Sequence, residues 1–395
     1  MTSNNKLKIY LIAGEPSGDL LGSRFMRAMR RKLGDKVEFY GVGGDTMEKE
    51  GLTPLFDISD LAVMGLVEII PSISKILGLI NQTINDIKTV KPDVVMTIDS
   101  WSFSERIHKK LRKLKLGIPQ VHYVAPQVWA WKKKRAQTMY KYIDLLLTLF
   151  PYEPKYFTPY RLRAEFVGHP VIESPALVAD GDSFRRRYNI SKNEKVITVL
   201  PGSRKTEVSK LLPDFLNAVK LLHEQDESYR FVIPTVKTVA ASVKSAVKDS
   251  GLPIIVLENE ADRYGAFSAS CAAIAASGTV SLELAICGVP HIICYKVSPL
   301  TALLAKHFLK IQFVNLPNIL LGREIVPELL QERCIPANIA GYTKHFINRD
   351  NDLYDKQQEG FAKVKKILGA GEQTPSENAA QIIIDLITEH KNAQH

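Results

Sequence analysis

The chain has few cysteines, and their spacing suits neither a metal site nor a redox pair. Only four of the 395 residues are cysteines, no two form a Cys-x-x-Cys pair, and no histidine joins them at metal-ligand spacing. This excludes the common zinc motifs, so we expect no metal. Scattered thiols are typical of a reducing compartment, which predicts reduced, mostly buried cysteines in a cytosolic protein. The four are Cys271, Cys287, Cys294 and Cys334.

The sequence also lacks a long hydrophobic run. No stretch reaches the roughly 18–20 uninterrupted apolar residues that a membrane-spanning helix requires. The first apolar run, at 9–13, is too short for a signal peptide and leads into a glycine-containing turn. We therefore expect a protein that does not cross a membrane, which leaves it free to lie on a membrane surface.

Acidic residues are outnumbered by basic ones. The chain contains 52 Lys and Arg against 42 Asp and Glu, which gives a net charge of +10. This sign favours an anionic partner: nucleic acid, a phospholipid surface or a phosphorylated substrate. Nucleic acid ranks lowest, because the basic residues are scattered and no nucleic-acid-binding motif is present. We therefore expect no nucleic-acid partner.

Two series of short apolar runs alternate with helical segments along the chain. Such runs are typical of parallel strands covered on both faces, and the alternation predicts an α/β fold with two doubly wound domains facing a cleft. Prolines between 151 and 175 mark the connection between the domains. A final amphipathic helix is predicted at 376–390. The predicted strands are 8–14, 37–44, 93–99, 119–125, 144–150, 195–202, 231–236, 253–258, 271–277 and 289–295.

The turn after the first predicted strand contains Gly14, Ser17 and Gly18. The glycines permit a tight turn, and Ser17 is placed to cap the following helix. Free amides at such a turn attract phosphate. The segment is not Gly-x-Gly-x-x-Gly, so no dinucleotide site is predicted. A capped turn without a ligand is the alternative.

The sequence LPGSR at 200–204 has the same layout in the second series. Gly202 permits close approach to the backbone, Ser203 is placed to cap a helix, and Arg204 offers a planar fork for phosphate oxygens. The helix dipole favours an anion at the same point. We expect a phosphate here, and the alternative is a capped helix with a solvated arginine.

A third turn of this kind is Ser277-Gly278-Thr279, between an apolar strand and a helix. Glu283 follows Thr279 by one helical turn, so it can face the same ligand, and its carboxylate can accept both hydroxyls of a ribose. A phosphate cradle with this carboxylate suits a nucleotide sugar. The alternative is an ordinary first-turn acid, favoured by the helix dipole.

Two further titratable residues lie at or near strand ends. Asp99 closes a predicted strand, where a carboxylate is suited to act as a general base. The alternative for Asp99 is a helix N-cap, which is the more common role of this pattern. His122 is a second candidate base, or else a histidine of the core.

The segment 61–80 is more apolar than one buried helix face requires, and Glu68, Pro71 and Lys75 interrupt it. Apolar residues beside basic ones favour docking on anionic lipid, and the alternative is a buried core helix. Residues 300–314 show the same pattern. The candidate patch is Leu66, Val67, Ile69, Ile70, Ile73, Ile76 and Leu77.

Six motifs in order resemble the lipid-A-disaccharide synthase family over most of the chain. Any one of them is weak, but six at sensible spacing are very specific. They are AGEPSGD (13–19), LAVMGLVEI (61–69), HYVAPQVWAW (122–131), LPGSR (200–204), ASGT (276–279) and NLPNILLGREIVPELLQ (315–331).

The resemblance implies an inverting, metal-independent glycosyltransferase of the GT-B type, with two Rossmann-like domains and no cofactor. Its reaction would transfer 2,3-diacylglucosamine from UDP-2,3-diacylglucosamine to 2,3-diacylglucosamine 1-phosphate, giving lipid A disaccharide 1-phosphate and UDP. The family implies a cytoplasmic enzyme held peripherally on the anionic inner-membrane surface, and it allows a homodimer. The final helix would return to the first domain or cross to a partner chain.

The resemblance also implies roles for individual residues. Asp99 would be the base, and Glu15 would join it in catalysis. Glu15, Ser17 and Gly18 would place the acceptor. The segment 66–80 would form the acyl and membrane patch. The donor would be held by Gly202, Ser203, Arg204, Ser277, Gly278, Thr279, Glu283, Asn318 and Arg323.

We expect three parts: an acceptor domain at 1–170, a UDP-sugar domain at 171–345, and C-terminal helices at 346–395 that pack back on the first domain. Two enzyme alternatives stay open on this architecture, a UDP-sugar epimerase and a transferase to a different lipid acceptor. A membrane-surface scaffold without activity is a third, which the intact site motifs oppose.

Overall fold

The computed structural model describes residues 6–61, 69–126, 133–297, 312–349, 352–369, 371 and 373–393, without the side chains of 69–73 and 133. The chain forms two compact units. Unit 1 comprises the residues up to Pro170 together with those from Leu368 onward, and unit 2 runs from Val171 to Ile367.

Unit 1 is built on a parallel sheet whose six described strands lie in the order β2-β1-β3-β4-β5-β6. Its strands are β1 (Leu7–Ala13), β2 (Val37–Val42), β3 (Val94–Ile98), β4 (Gln120–Tyr123), β5 (Leu145–Thr148) and β6 (Arg163–Phe166). Its helices are α1 (Pro16–Leu33), α2 (Asp45–Lys49), α3 (Ile69–Val90), α4 (Trp101–Leu114), α5 (Ala136–Met139) and, at the end of the chain, α14 (Pro375–Asn392).

Both faces of this sheet are covered by helices, as the continuous apolar strands predict. Successive side chains of a strand point to opposite faces. Ile9 and Leu11 of β1 accordingly pack in one core cluster with α1 and α14, and Tyr10 and Ile12 pack in another with α3 and α4. Since the strands are parallel, their carboxyl ends lie along one edge of the sheet, where ligands bind in such folds.

The last helix, α14, packs on α1 within unit 1. Asn378 of α14 donates a hydrogen bond of 3.0 Å to the Val167 carbonyl, and Glu377 pairs with Arg31 at 3.6 Å. The chain therefore returns to its own first unit. The helix Asp352–Ile367 differs from the expectation for 346–395, because it belongs to unit 2. There Gln357 is fully buried and exchanges hydrogen bonds of 2.7 and 3.0 Å with the His291 backbone.

Unit 2 has a second parallel sheet, whose six described strands have the order β12-β11-β10-β7-β8-β9. Its strands are β7 (Lys195–Leu200), β8 (Tyr229–Pro234), β9 (Ile254–Leu257), β10 (Ser270–Ala276), β11 (His291–Tyr295) and β12 (Glu328–Leu330). Its helices are α6 (Gly181–Arg187), α7 (Lys205–Gln225), α8 (Lys237–Ser250), α9 (Glu260–Ala269), α10 (Val280–Ile286), α11 (Leu316–Leu321), α12 (Pro336–Asn348) and α13 (Asp352–Ile367).

The candidate apolar patch is only partly within the described residues. Leu66, Val67 and the side chains of Ile69, Ile70 and Ile73 lie outside them, as do residues 298–311 of the second apolar segment. Of the remaining two, Ile76 is buried in the core under α3, which contradicts its assignment to the patch, and Leu77 is 44% exposed. Among the described residues, no helix is both long and apolar enough to cross a membrane.

Candidate functional site

The β1–β3 pair forms the topological switch point of unit 1. These strands are neighbours in the sheet, but β1 continues to β2 on one side and β3 continues to β4 on the other. Loops after such strands diverge and leave a crevice that binds ligands. Gly14 allows the two loops to approach closely, and Gly18 allows the first turn of α1 to approach the end of β3. A Cβ on Gly14 would lie 3.1 Å from the Ser100 side chain, and one on Gly18 would lie 3.1 Å from the Ile98 carbonyl oxygen.

Asp99 lies in the loop after β3, next to the loop after β1. Its backbone is left-handed, with φ of 57°, a conformation that Asp tolerates better than most residues. Its carboxylate accepts the Ser100 amide at 2.8 Å and a hydrogen bond from the Ser17 side chain. Burial raises the pKa of Asp99, and the nearby Glu15 charge raises it further against these two hydrogen bonds. A half-buried carboxylate of raised pKa is suited to accept a proton.

Neither loop uses the caps considered from the sequence. The N-cap position of α1 is Glu15, not Ser17, and that of α4 is Ser100, not Asp99. The Ser100 hydroxyl instead donates a 2.8 Å hydrogen bond to the Glu15 carboxylate. Asp99 is therefore not the helix cap, and the structure brings Glu15, Ser17 and Asp99 together at the sheet edge.

His122 is a core histidine. It is fully buried on β4, and its Nδ1 lies 2.7 Å from the Thr97 hydroxyl, which also lies 2.8 Å from His108 Nε2. Gln120 continues this hydrogen-bonded chain at 2.8 Å from His108 Nδ1. Burial holds the pKa of His122 well below its usual range. The interpretation of His122 as a second base is therefore not supported, and its hydrogen-bonded neighbours Thr97 and His108 were not predicted from the sequence.

The β7–β10 pair forms the equivalent switch point of unit 2, and a pocket of about 410 Å³ lies there. The loops after both strands line it, so two of the predicted turns and Glu283 meet around one space. Its lining includes Gly202, Ser203, Arg204, Glu207, Pro234, Thr235, Val236, Arg263, Ser277, Gly278, Thr279 and Glu283.

The LPGSR turn is close to its predicted form but not open. Arg204, rather than Ser203, is the N-cap residue of α7, and its side chain is 77% exposed. The amides of Ser203 and Arg204 point to the Glu207 carboxylate at 3.3 and 3.4 Å, and the Arg204 guanidinium donates to it at 2.7 Å. The Glu207 carboxylate therefore already covers the turn where a phosphate was expected.

The turn Ser277–Thr279 is open. The Ser277 hydroxyl donates to the Val314 carbonyl at 3.0 Å. Among the described residues, the amides of Gly278 and Thr279 have no hydrogen-bond acceptor. No described residue lies within 4 Å of a Cβ on Gly278, so the described part of the chain leaves the space above the turn free. These amides can receive an anionic ligand.

Glu283 is held by a residue that the sequence did not suggest. Its carboxylate pairs with Arg263 and accepts a weak hydrogen bond from the Tyr264 hydroxyl at 3.4 Å. Burial raises the pKa of Glu283, and Arg263 opposes this shift. Arg263 stacks on Tyr264 and Phe267, with its guanidinium carbon 5.3 and 5.4 Å from the ring centroids. Glu283 lines the pocket, and its two oxygens have more acceptor sites than Arg263 and Tyr264 use, so it can accept hydroxyl hydrogens as well.

Two residues expected at the donor lie elsewhere. Asn318 is fully buried, and its carboxamide makes four hydrogen bonds: to the Val326 carbonyl (2.8 Å) and Glu328 (2.9 Å), and from the amides of Ile325 (2.8 Å) and Val326 (2.9 Å). These four bonds use both donors and both acceptor sites of the carboxamide, which leaves none for a ligand. Arg323 is exposed and lies outside the pocket lining. Neither residue lines the pocket, so the structure does not bring them to the other predicted donor residues.

Asn315 was missed by sequence reasoning. It is fully buried in front of α11, and its carboxamide nitrogen and oxygen have no partner among the described residues. Its neighbour Val314 accepts the Ser277 hydroxyl. An asparagine in front of a helix predicts an N-cap, but this one makes no capping hydrogen bond. Buried carboxamides without a partner are uncommon, so Asn315, beside the Ser277–Thr279 turn, is a further candidate site residue.

Comparison with known proteins places these features in one family. The family model described as lipid-A-disaccharide synthetase matches residues 9–383. A lipid-A-disaccharide synthase of Paramagnetospirillum magneticum is 46% identical over 389 residues, covering 98% of this chain and 99% of the relative. The chain belongs to the lipid-A-disaccharide synthase family.

Solved structures of lower identity share the fold. The UDP-GlcNAc 2-epimerase of Neisseria meningitidis, solved bound to UDP-GlcNAc, has a TM-score of 0.64 at 14% identity and covers 97% of this chain and 100% of its own. MurG of Acinetobacter baumannii has a TM-score of 0.56 at 15% identity, covering 97% and 99%. Similarity at this identity establishes two Rossmann-like units of the GT-B kind and no activity.

Membership of the family determines the enzyme class. Members are glycosyltransferases of lipid A biosynthesis, and this chain is a glycosyltransferase of that pathway. Its substrates are a UDP-sugar and a lipid acceptor. The epimerase alternative is not favoured, because the epimerase likeness is one of fold whereas the synthase likeness extends to nearly half of all residues.

Proposed function

We propose that the chain transfers 2,3-diacylglucosamine from UDP-2,3-diacylglucosamine to 2,3-diacylglucosamine 1-phosphate, with lipid A disaccharide 1-phosphate and UDP as products. The observation that carries the proposal is the pocket at the unit 2 switch point. It combines the Arg204 guanidinium, two amides from which no described residue accepts, and the Glu283 carboxylate, which suit a diphosphate next to a ribose.

In this proposal, the donor nucleotide lies in the unit 2 pocket. The amides of Gly278 and Thr279 and the guanidinium of Arg204 bind the diphosphate, and Glu283 accepts the ribose hydroxyls. Negative charge grows on the diphosphate as the glycosidic bond to the anomeric carbon breaks. Donors that are fixed in place before the reaction stabilise this charge without reorganisation, and loss of one such donor typically reduces turnover about a hundredfold or more.

The acceptor lies at the unit 1 switch point, placed by Glu15, Ser17 and Gly18. Asp99 takes the proton of the acceptor hydroxyl as its oxygen attacks the anomeric carbon from the face opposite UDP. One carbon–oxygen bond forms, the bond to UDP breaks with its electron pair, and the configuration inverts. The raised pKa of Asp99 supports this role because it makes the carboxylate a stronger base.

We also propose that the enzyme works on the cytoplasmic surface of the inner membrane. Both substrates carry acyl chains, so the acceptor side of the enzyme must lie close to lipid. The net charge of +10 supports attraction to anionic headgroups. Within the described part of the apolar 66–80 segment, Leu77 and Lys75 are both exposed, which supports contact of this segment with lipid.

The proposal is tested by UDP release in detergent. UDP should appear from UDP-2,3-diacylglucosamine only when 2,3-diacylglucosamine 1-phosphate is present. Water-soluble UDP-GlcNAc, followed by NMR, should be neither hydrolysed nor epimerised. Acceptor-independent conversion of UDP-GlcNAc to its 2-epimer would refute the transferase and support the epimerase alternative.

A further inference from the structure

The anion-binding turn of α7 is filled by a side chain of the same helix. Glu207, in the first turn of α7, accepts hydrogen bonds from the amides of Ser203 (3.3 Å) and Arg204 (3.4 Å) and from the Arg204 guanidinium (2.7 Å). Its side chain is 19% exposed. All three donors are groups that a phosphate would use at this turn.

The backbone at Gly202 shows how closely the carboxylate covers the turn. Gly202 has φ of 114°, which only glycine adopts readily. A Cβ at this position would lie 2.7 Å from Glu207 Oε2. The carboxylate therefore occupies the volume directly above the turn, where an incoming phosphate oxygen would lie.

The second turn of the same pocket is different. No described residue accepts from the amides of Gly278 and Thr279, and none lies within 4 Å of a Cβ on Gly278. One pocket thus contains an open anion cradle and a cradle filled by a carboxylate. Glu207 is the N3 residue of a capping box on α7, whereas α10 has Leu282 at the corresponding position, so of these two turns only the first has an acid that can fill it.

A carboxylate and a phosphate cannot share these donors. The amides of Ser203 and Arg204 each have one hydrogen, and two anions at hydrogen-bonding distance from the same groups repel each other. The diphosphate therefore gains the turn only if Glu207 leaves it.

We infer that Glu207 occupies the phosphate position of the donor site when no donor is bound, is displaced by the diphosphate, and so sets the affinity for the donor. This inference rests on the proposed function, because it takes the unit 2 pocket as the UDP site. Displacement also frees the Arg204 guanidinium, which then pairs with the diphosphate instead of Glu207.

The competition has a signature that a capping role lacks. Replacing Glu207 by glutamine keeps an oxygen for the amides and removes the charge. UDP should then bind about tenfold or more tightly, because a neutral amide yields the turn more easily than a carboxylate. Uridine has no phosphate, so its affinity should not change.

The experiment is calorimetric titration of UDP and of uridine into wild type, E207Q and E207A. The control is E224Q, which removes a charge at the exposed far end of the same helix, where Glu224 only approaches Lys220 at 4.0 Å. We expect tighter UDP binding and unchanged uridine binding in E207Q, and wild-type values in E224Q. E207A, which cannot refill the turn, should match or exceed E207Q if it remains folded by circular dichroism.

Two results would overturn the inference in different ways. If the wild type binds UDP and E207Q binds it equally or less tightly, Glu207 orients Arg204 rather than competing with the donor. If neither wild type nor E207Q binds UDP, the donor site itself is wrong, and the proposed function fails with it.

Discussion

The Ser100 hydroxyl donates a 2.8 Å hydrogen bond to the Glu15 carboxylate, and this bond joins the loops that follow β1 and β3. It keeps Glu15 near Asp99, whose pKa is raised by burial first and by the Glu15 charge in addition. Glu15 is exposed, whereas Asp99 is half-buried. Such different surroundings are common where one of two neighbouring acids acts as a base.

Glu15→Gln should shift the pH profile. Because the Glu15 charge raises the pKa of Asp99, its removal lowers that pKa. The base then stays ionised to lower pH, so the acidic limb of kcat/KM should move to lower pH than in wild type. Ser100→Ala, which keeps both charges, is the matched control and should move the limb less. If the acidic limb of kcat/KM does not move in Glu15→Gln, the Glu15 charge does not influence the base.

Asp99→Asn should lose turnover without losing stability. General bases typically contribute about 10²–10⁴-fold, so kcat should fall at least about a hundredfold. The folded-state pKa of Asp99 is raised, so its ionised form is disfavoured in the native state and weakens stability above the unfolded-state pKa. At neutral pH, Asn should therefore give an equal or higher Tm.

Asp35→Asn, at an exposed position of the same unit, is the control for Asp99→Asn and should change neither property. Near-normal turnover in Asp99→Asn would remove the base assignment. A large fall in Tm would show that the carboxylate has a structural role instead.

Arg204→Ala and Arg323→Ala should differ, although the family resemblance assigns both residues to the donor. Arg204 lines the pocket and Arg323 does not. Loss of Arg204 should weaken UDP binding and reduce turnover about a hundredfold, since it removes a donor to the growing charge. Arg323→Ala should bind UDP as wild type does, measured by calorimetry. Equal losses in the two variants would contradict the described geometry.

Asn318→Ala should act on stability. Its carboxamide pairs with Val326, Glu328 and Ile325, all buried, and truncation leaves several of these groups unpaired. Each unpaired buried group costs about 1–3 kcal/mol, so the free energy of unfolding of unit 2 should fall by about 2–4 kcal/mol. Urea unfolding measures this change. Wild-type stability together with lost UDP affinity would restore Asn318 as a ligand contact.

Arg263→Met should make ribose recognition sensitive to pH. Burial raises the pKa of Glu283 and Arg263 lowers it, so the variant should protonate Glu283 at higher pH than wild type does. A protonated carboxyl accepts fewer hydroxyl hydrogens, so uridine affinity should fall as the pH decreases. In the variant this fall should begin at a higher pH than in wild type. Arg263→Lys keeps the charge and should largely preserve the wild-type profile. Identical pH profiles for wild type and Arg263→Met would exclude Glu283 as the ribose acceptor.

The sequence predicted the central strands well because buried parallel strands are continuously apolar. It missed the edge strands Arg163–Phe166 and Glu328–Leu330, which are short and carry charged residues. The turns at 14–18, 202–204 and 277–279 were located from glycine and hydroxyl residues after strands. The structure has 202–204 and 277–279 in loops, whereas the first turn is shorter than predicted, because α1 already begins at Pro16.

The partners of the site residues were not predictable in the same way. Arg263 reaches Glu283 from a different helix, and Glu207 reaches back over its own turn, so only the fold brings these charges together. Asn318 was assigned to the donor from a motif, but a motif cannot distinguish a residue that contacts a ligand from a buried residue that holds the backbone. The four hydrogen bonds of its buried carboxamide favour the second role.

The most direct measurement is the identity of the product. Purified protein is mixed with UDP-2,3-diacylglucosamine and 2,3-diacylglucosamine 1-phosphate in detergent, and the products are followed by mass spectrometry, with NMR for the anomeric configuration. The account predicts a tetra-acylated disaccharide 1-phosphate with an inverted linkage and one UDP per disaccharide, and little product from Asp99→Asn. A retained linkage, or no disaccharide from a protein that binds UDP, would contradict it.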